Sequence, residues 1–150
     1  MTDRQQKASL TDRRRGLGDF AGLWQVDRRI DDRLGQAMRF VGTALLTGDD
    51  PALIYHEQGR LSAGQGPAHA ASRRYCWRAE GADIAVYFDD GRPFHRFDPV
   101  GSCATALHDC PPDRYDVRYD FTAWPDWSTR WQVRGPRKDY GMETWYRRTG

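Results

Sequence analysis

The chain reads as all-β, a single closed, up-and-down antiparallel barrel of about ten strands. Three observations lead there. Apolar and polar residues alternate with period two through most of the stretch from Phe20 onward, and no part of that body sustains a 3.6-residue period. Nine turn signals cut it at short intervals. The aromatic residues, 6 Trp, 7 Tyr and 6 Phe, are types that favour strands. A meander of this many strands on 150 residues is expected to close, because closure removes exposed edges.

Taken in order, Phe20, Gly22, Trp24, Val26 and Ile30 alternate with Leu23, Gln25, Asp27 and Arg29, giving the first strand up to the Leu34-Gly35 break. Met38, Phe40, Gly42, Ala44 and Leu46 give the second, ended by Gly48-Asp49-Asp50-Pro51. Leu53, Tyr55, Gly59 and Leu61 mark the third, before the glycine-rich Ser62–Pro67. Tyr75 and Trp77, then Ile84, Val86 and Phe88, flank Glu80-Gly81-Ala82-Asp83. Asp90-Gly91 reads as a two-residue type I′ hairpin loop, which needs positive φ at both positions, with Asp89 and Arg92 facing each other as a cross-strand pair. Breaks at Pro99-Val100-Gly101, Pro111-Pro112-Asp113, Trp124-Pro125-Asp126 and Gly135-Pro136 separate the remaining runs: Tyr115 to Phe121, Trp131 and Val133, and Tyr140 to Tyr146.

Residues 1–18 form a polar tail holding Arg4, Lys7, Arg13, Arg14 and Arg15 against Asp3 and Asp12, a local charge of +3. It is expected to be disordered, with at most a short helical turn just before Phe20, and residues 19–150 to be the single barrel domain. That body carries −1 of the formal +2, the reverse of a nucleic-acid-binding domain, so no nucleic-acid partner is expected. No run approaches the ~18 apolar residues of a membrane helix, and no apolar stretch near the start resembles a signal peptide. With three cysteines, Cys76, Cys103 and Cys110, a disulfide framework is not expected. These features together predict a cytoplasmic protein without a membrane partner.

Gly22-Leu23-Trp24 at the first strand and Arg147-Arg148 at the last resemble the calycin (lipocalin-like) superfamily. The resemblance implies that Trp24, preceded by Gly22, plugs one end of the barrel while Arg148 packs across its indole through a cation–π contact. The body from Phe20 to Arg148 also resembles an uncharacterised bacterial family of small domains. The likeness runs through Gly22-Leu23-Trp24…Arg28…Ile30, Tyr55-His56-Glu57-Gln58-Gly59, Arg74-Tyr75-Cys76-Trp77, Phe88 to His95, His108-Asp109-Cys110…Asp113…Tyr115 and Gly135 to Tyr140. That family implies the fold and no established activity.

If Trp24 plugs one end, a meander places the loops 31–36, 62–67, 89–92, 110–114 and 135–139 on the opposite, open rim. Arg28, Glu57 and Arg73 share parity with apolar neighbours two residues away, which turns all three toward the lumen. One glutamate cannot fully match two arginines, so either a structural network with water fills the lumen or a spare guanidinium holds an anionic group. A bulge that reverses one strand's parity is the further alternative.

The leading expectation is a binding protein for a small-molecule ligand, partly apolar with an anionic group. Arg28 and Arg73 would act as clamps, oriented by Glu57, with Tyr55, Tyr75, Trp77, Tyr115, Tyr119 and Tyr140 lining the wall and Arg92 and Lys138 adding charge. An enzyme would instead use His95 or His108 with Asp109 as general acid–base groups at the rim. A third reading is a scaffold whose rim docks a partner protein. His95, His108, Cys110, Asp109 and Asp113 lack metal-ligand spacing, so no metal and no cofactor are expected.

Overall fold

The computed structural model describes residues 15–149. A 3-10 turn, Leu17–Phe20, leads into β1 (Gly22–Asp32), β2 (Met38–Asp49), β3 (Ala52–Ala63), β4 (His69–Glu80) and β5 (Asp83–Phe88). There follow β6 (Pro93–Phe97), β7 (Cys103–Cys110), β8 (Asp113–Asp120), β9 (Trp127–Gly135) and β10 (Lys138–Arg148). The sheet order β6-β5-β4-β3-β2-β1-β10-β9-β8-β7 is a meander joined to itself through β1 and β10. All the pairings are antiparallel.

The barrel is nearly closed. Among the described residues β6 and β7 share no backbone ladder, and side chains seal that line instead. Phe94 meets His108 with ring centroids 5.3 Å apart, and Phe97 stacks on Tyr119 at 4.0 Å. All nine turns lie where the sequence places them. No helix among the described residues is long and apolar enough to cross a membrane.

Alternation sets the interior. On β1, Trp24, Val26 and Arg28 are buried, whereas Leu23, Gln25 and Arg29 are exposed. Gly42 and Gly59 face one another across β2 and β3. A Cβ on Gly59 would stand 2.4 Å from the Val41 carbonyl oxygen and 2.6 Å from the Phe40 ring. The two backbones therefore approach more closely than any side chain allows.

One end is packed solid. Phe20 lies edge-on to Trp77, Trp124 and Trp127, with centroids 5.1–5.4 Å away. The Trp24 indole donates to the Phe20 carbonyl at 2.9 Å, and the Arg148 guanidinium sits 4.0 Å above its ring. Arg148 also donates to the Ala21 and Asp19 carbonyls at 2.6 Å. Gly22 has φ +116, and a Cβ there would fall 2.8 Å from an Arg148 nitrogen, so the arginine occupies space that only glycine leaves.

Two expectations are corrected. Arg15 and Leu17 belong with the packed body: Leu17 is buried, and Arg15 donates to the Pro99 and Gly101 carbonyls at 3.2 Å while lying 4.5 Å above the Phe121 and Trp124 rings. Apolar anchoring and cation–π contact draw these residues onto the plugged end; residues 1–14 lie outside the described residues. The β5–β6 turn is not type I′. Gly91 alone there has positive φ, and its amide donates to the Phe88 carbonyl at 2.9 Å, a type I turn followed by a left-handed glycine. Arg92 then pairs with Asp90 rather than Asp89, at 2.7 Å.

Gly59→Ala is expected to lower unfolding free energy by about 1–3 kcal/mol, because backbone and ring atoms must give way to the new methyl. Urea denaturation beside the unchanged chain measures it.

Candidate functional site

The lumen holds a buried polar network. Arg28 on β1 donates from both terminal nitrogens to the two Glu57 oxygens on β3, each at 2.7 Å, and from Nε to Thr144 Oγ1 at 2.8 Å. Tyr55 donates to Glu57 at 2.5 Å and lies 2.9 Å from the Tyr146 hydroxyl. Arg28 and Glu57 are 5% and 2% exposed, so this pair is screened from water. Register explains how they meet. Arg28 pairs with Phe40, Glu57 pairs with Ala44, and Gly42 lies between those two positions on β2. No side chain there obstructs the diagonal reach.

Charge states follow from these contacts. Burial pushes the Glu57 carboxyl up, but the hydrogen bonds and charge of Arg28, with the Tyr55 hydroxyl, outweigh it and hold the group below its usual range. Burial opposes the Arg28 charge as well, and the Glu57 hydrogen bonds overcome it, so the guanidinium stays charged. Burial, then the neighbouring Tyr146 and Glu57, pushes the Tyr55 phenol well up.

Arg73 is the register partner of Glu57 on β4, yet it stands apart from the pair. Its side chain lies in the barrel mouth, reached by solvent, and contacts the Tyr75 hydroxyl at 3.4 Å. Among the described residues no carboxylate lies within ion-pair distance of it. Arg73, Tyr75, Phe94, His95, Tyr119 and Trp131 line one cavity of about 30 Å³, room for roughly one water. A larger groove of about 820 Å³ lies on the outer wall beside Gln25, Val41, Thr43 and Trp145. None of the sequence-predicted site residues borders it, and the lumen remains the candidate site.

The lumen is fuller than the alternation implies, and the cause is a bulge. The β5–β6 register shifts between Val86 and Tyr87: Val86 pairs with His95 and Tyr87 with Pro93, so Phe94 has no opposite residue. Phe94 and His95 are consequently both buried, 3% and 8% exposed. His95 lies inside the barrel rather than on the rim, and its Nε2 is 2.7 Å from the Tyr119 hydroxyl. Burial, with a smaller contribution from the charge of His108, pulls the His95 pKa down to about 3. Among the described residues its buried Nδ1 has no hydrogen-bond partner.

The other candidates divide by depth. Tyr55, whose hydroxyl belongs to the network, and Trp77 are buried and stacked, centroids 5.8 Å apart, while Tyr119 is buried against Phe97. His108 and Tyr115 stand nearer the mouth, their rings 5.3 and 5.6 Å from Phe94. Lys138 is held by Asp113 at 3.0 Å and the Tyr115 hydroxyl at 3.1 Å, and Tyr140 is half-buried nearby. Arg92 is displaced to the exposed hairpin tip. Asp109 is exposed and, as the next residue along β7, points away from His108, so the structure does not unite them with His95. Phe94, Trp131, Thr144 and Tyr146 complete the lumen; Phe94 was hidden because the bulge breaks the pattern that would reveal it.

Arg28→Met should lose about 3–5 kcal/mol of stability by stranding the buried Glu57 charge, and Arg28→Met/Glu57→Leu should recover most of it. A double-mutant cycle by denaturation tests both. His95 generates a pH dependence. With the folded pKa below the unfolded value, only the unfolded chain binds this proton between pH ~6.5 and ~3, so stability falls as pH drops through that window, by at most about 1.4 kcal/mol per pH unit. His95→Gln keeps a partner for Tyr119 and does not titrate; its stability should decline less than that of the unchanged chain between pH 7.5 and 4.5.

No curated protein matches the chain. Among solved structures, an S-type phycobiliprotein lyase from Guillardia theta shares 9% identity and a TM-score of 0.63, over 89% of this chain and 90% of that one. A de novo designed fluorescence-activating β-barrel shares 14% identity and a TM-score of 0.44, over 88% of this chain and 95% of that one. The first likeness is one of fold. A family model matches residues 20–148, essentially the whole barrel, and the chain belongs to that family, DUF6314, described as a family of unknown function.

Proposed function

We propose that this protein binds a small, partly apolar molecule carrying an anionic group, which enters the barrel mouth and meets Arg73. The observation that carries this reading is the division of labour between the two lumenal arginines. Glu57 spends both oxygens on Arg28 and accepts the Tyr55 hydroxyl, whereas Arg73 faces the mouth with Tyr75 as its polar neighbour. A planar guanidinium placed over an aromatic cavity suits a carboxylate or phosphate through paired hydrogen bonds.

In this reading Arg28 is not a clamp. Its nitrogens already serve Glu57 and Thr144, so with Glu57 it forms the polar floor of the site. Tyr75, Tyr115 and Tyr140 line the upper wall, and Lys138 adds a second cation at the rim. The fold shared with a phycobiliprotein lyase is compatible with this use, since small barrels admit ligands at an open end. The acid–base alternative has less support. Among the described residues neither His95 nor His108 forms an ion pair with a carboxylate.

The test is titration with an anionic apolar fluorophore, anilinonaphthalene sulfonate. The unchanged protein should bind it saturably at one site, and Arg73→Met should weaken binding about tenfold or more. The melting temperature of Arg73→Met should stay nearly constant, because no buried partner is stranded. Equal affinity for both proteins would overturn the assignment.

A further inference from the structure

The small cavity beneath Arg73 is bordered by one ring that other rings surround. Phe94 lies against Phe88 at 4.7 Å, Trp131 at 5.2 Å, His108 at 5.3 Å, Tyr115 at 5.6 Å and Tyr75 at 5.9 Å. Phe88 is nearly parallel to it, at 19°, while His108 and Tyr115 meet it at 87° and 83°. Stacked and edge-to-face partners together make a cage that favours an aromatic ring over an aliphatic group of similar size.

The ring is attached at a place suited to movement. Phe94 is the extra residue of the bulge, with no opposite number on β5. Its strand is an edge of the sheet, facing the β6–β7 line where no ladder exists among the described residues. Displacing Phe94 therefore requires no ladder on its far side to break. Arg73, Tyr75 and Phe94 border the same void, and Tyr75 touches both of the others.

We propose that Phe94 is a resident stand-in for the ligand: the cage around it receives the single aryl ring of an aromatic anion, whose carboxylate on a short tether reaches Arg73. This rests on the reading that the mouth takes an anionic ligand, and it adds the class of molecule. Size agrees. An apolar cavity of about 150 Å³ holds one benzene ring, so the space vacated by Phe94, joined to the existing void, takes one ring.

The full-length chain carrying Phe94→Ala tests this with three probes: phenylacetate, cyclohexylacetate and toluene, followed by calorimetry and Trp fluorescence. Phe94→Ala should bind phenylacetate at least about tenfold more tightly than the unchanged protein, where the resident ring competes. It should prefer phenylacetate over cyclohexylacetate. Adding Arg73→Met should cut phenylacetate affinity about tenfold and leave toluene affinity unchanged. A cooperatively melting Phe94→Ala that binds none of the three overturns the cage. Toluene bound, with phenylacetate no tighter and indifferent to Arg73, keeps the cage and overturns the anion assignment beneath it. Equal affinity for the two acids overturns the aryl preference. Should Phe94→Ala fail to fold, Phe94→Val carries the same comparisons with a smaller loss of packing.

Discussion

A guanidinium and a carboxylate locked together in an aromatic lumen impose the main constraint on this molecule. Taking either charge out of water costs several kcal/mol, and only near-ideal geometry compensates. That geometry is assembled from three separate strands and β10. Arg28 projects from β1, Glu57 from β3, and Gly42 on β2 leaves the path between them clear, while Thr144 and Tyr55 take up the remaining hydrogen-bonding capacity. The pair also decides what Arg73 can do. With Glu57 saturated, the second arginine stays at the mouth, with no carboxylate within ion-pair distance among the described residues.

The two ends of the barrel then differ in kind. One is an aromatic assembly of Phe20, Trp24, Trp77, Trp124 and Trp127, closed over by Arg148 and Arg15. The other carries cations and hydroxyls around a ring-lined opening. The polar network separates them as a partition, with ring packing below it and the cations of the proposed site, Arg73 and Lys138, above it. A phycobiliprotein lyase shares this barrel at 9% identity, which shows how little sequence the architecture itself demands.

Much of the fold was legible because a period of two and turn residues are local properties. All nine breaks, the ten strands and the lumenal direction of Arg28 and Glu57 follow from reading neighbours two apart. Three things were not legible. Arg15 and Leu17 sit in a polar, basic stretch, and what fixes them is a distant aromatic surface formed by residues 121–124. The Asp90-Gly91 dipeptide suits two hairpin geometries, and the choice belongs to the flanking register. The bulge at Phe94 shifts parity within a five-residue strand, too short for a pattern to betray it. His95, by contrast, keeps ordinary alternation with Phe97, opposite Val86, and so lies inside, while the bulge brings Phe94 in beside it.

The line between β6 and β7 has a mechanical meaning. Elsewhere the circumference is set in fixed increments, since neighbouring strands stand about 4.8 Å apart wherever a ladder joins them. At that one join the spacing is set by the bulk of Phe94, Phe97, His108 and Tyr119. The bore of this cylinder is therefore adjustable by continuous amounts along a single generatrix, much as a split collar is sized by the shim in its gap.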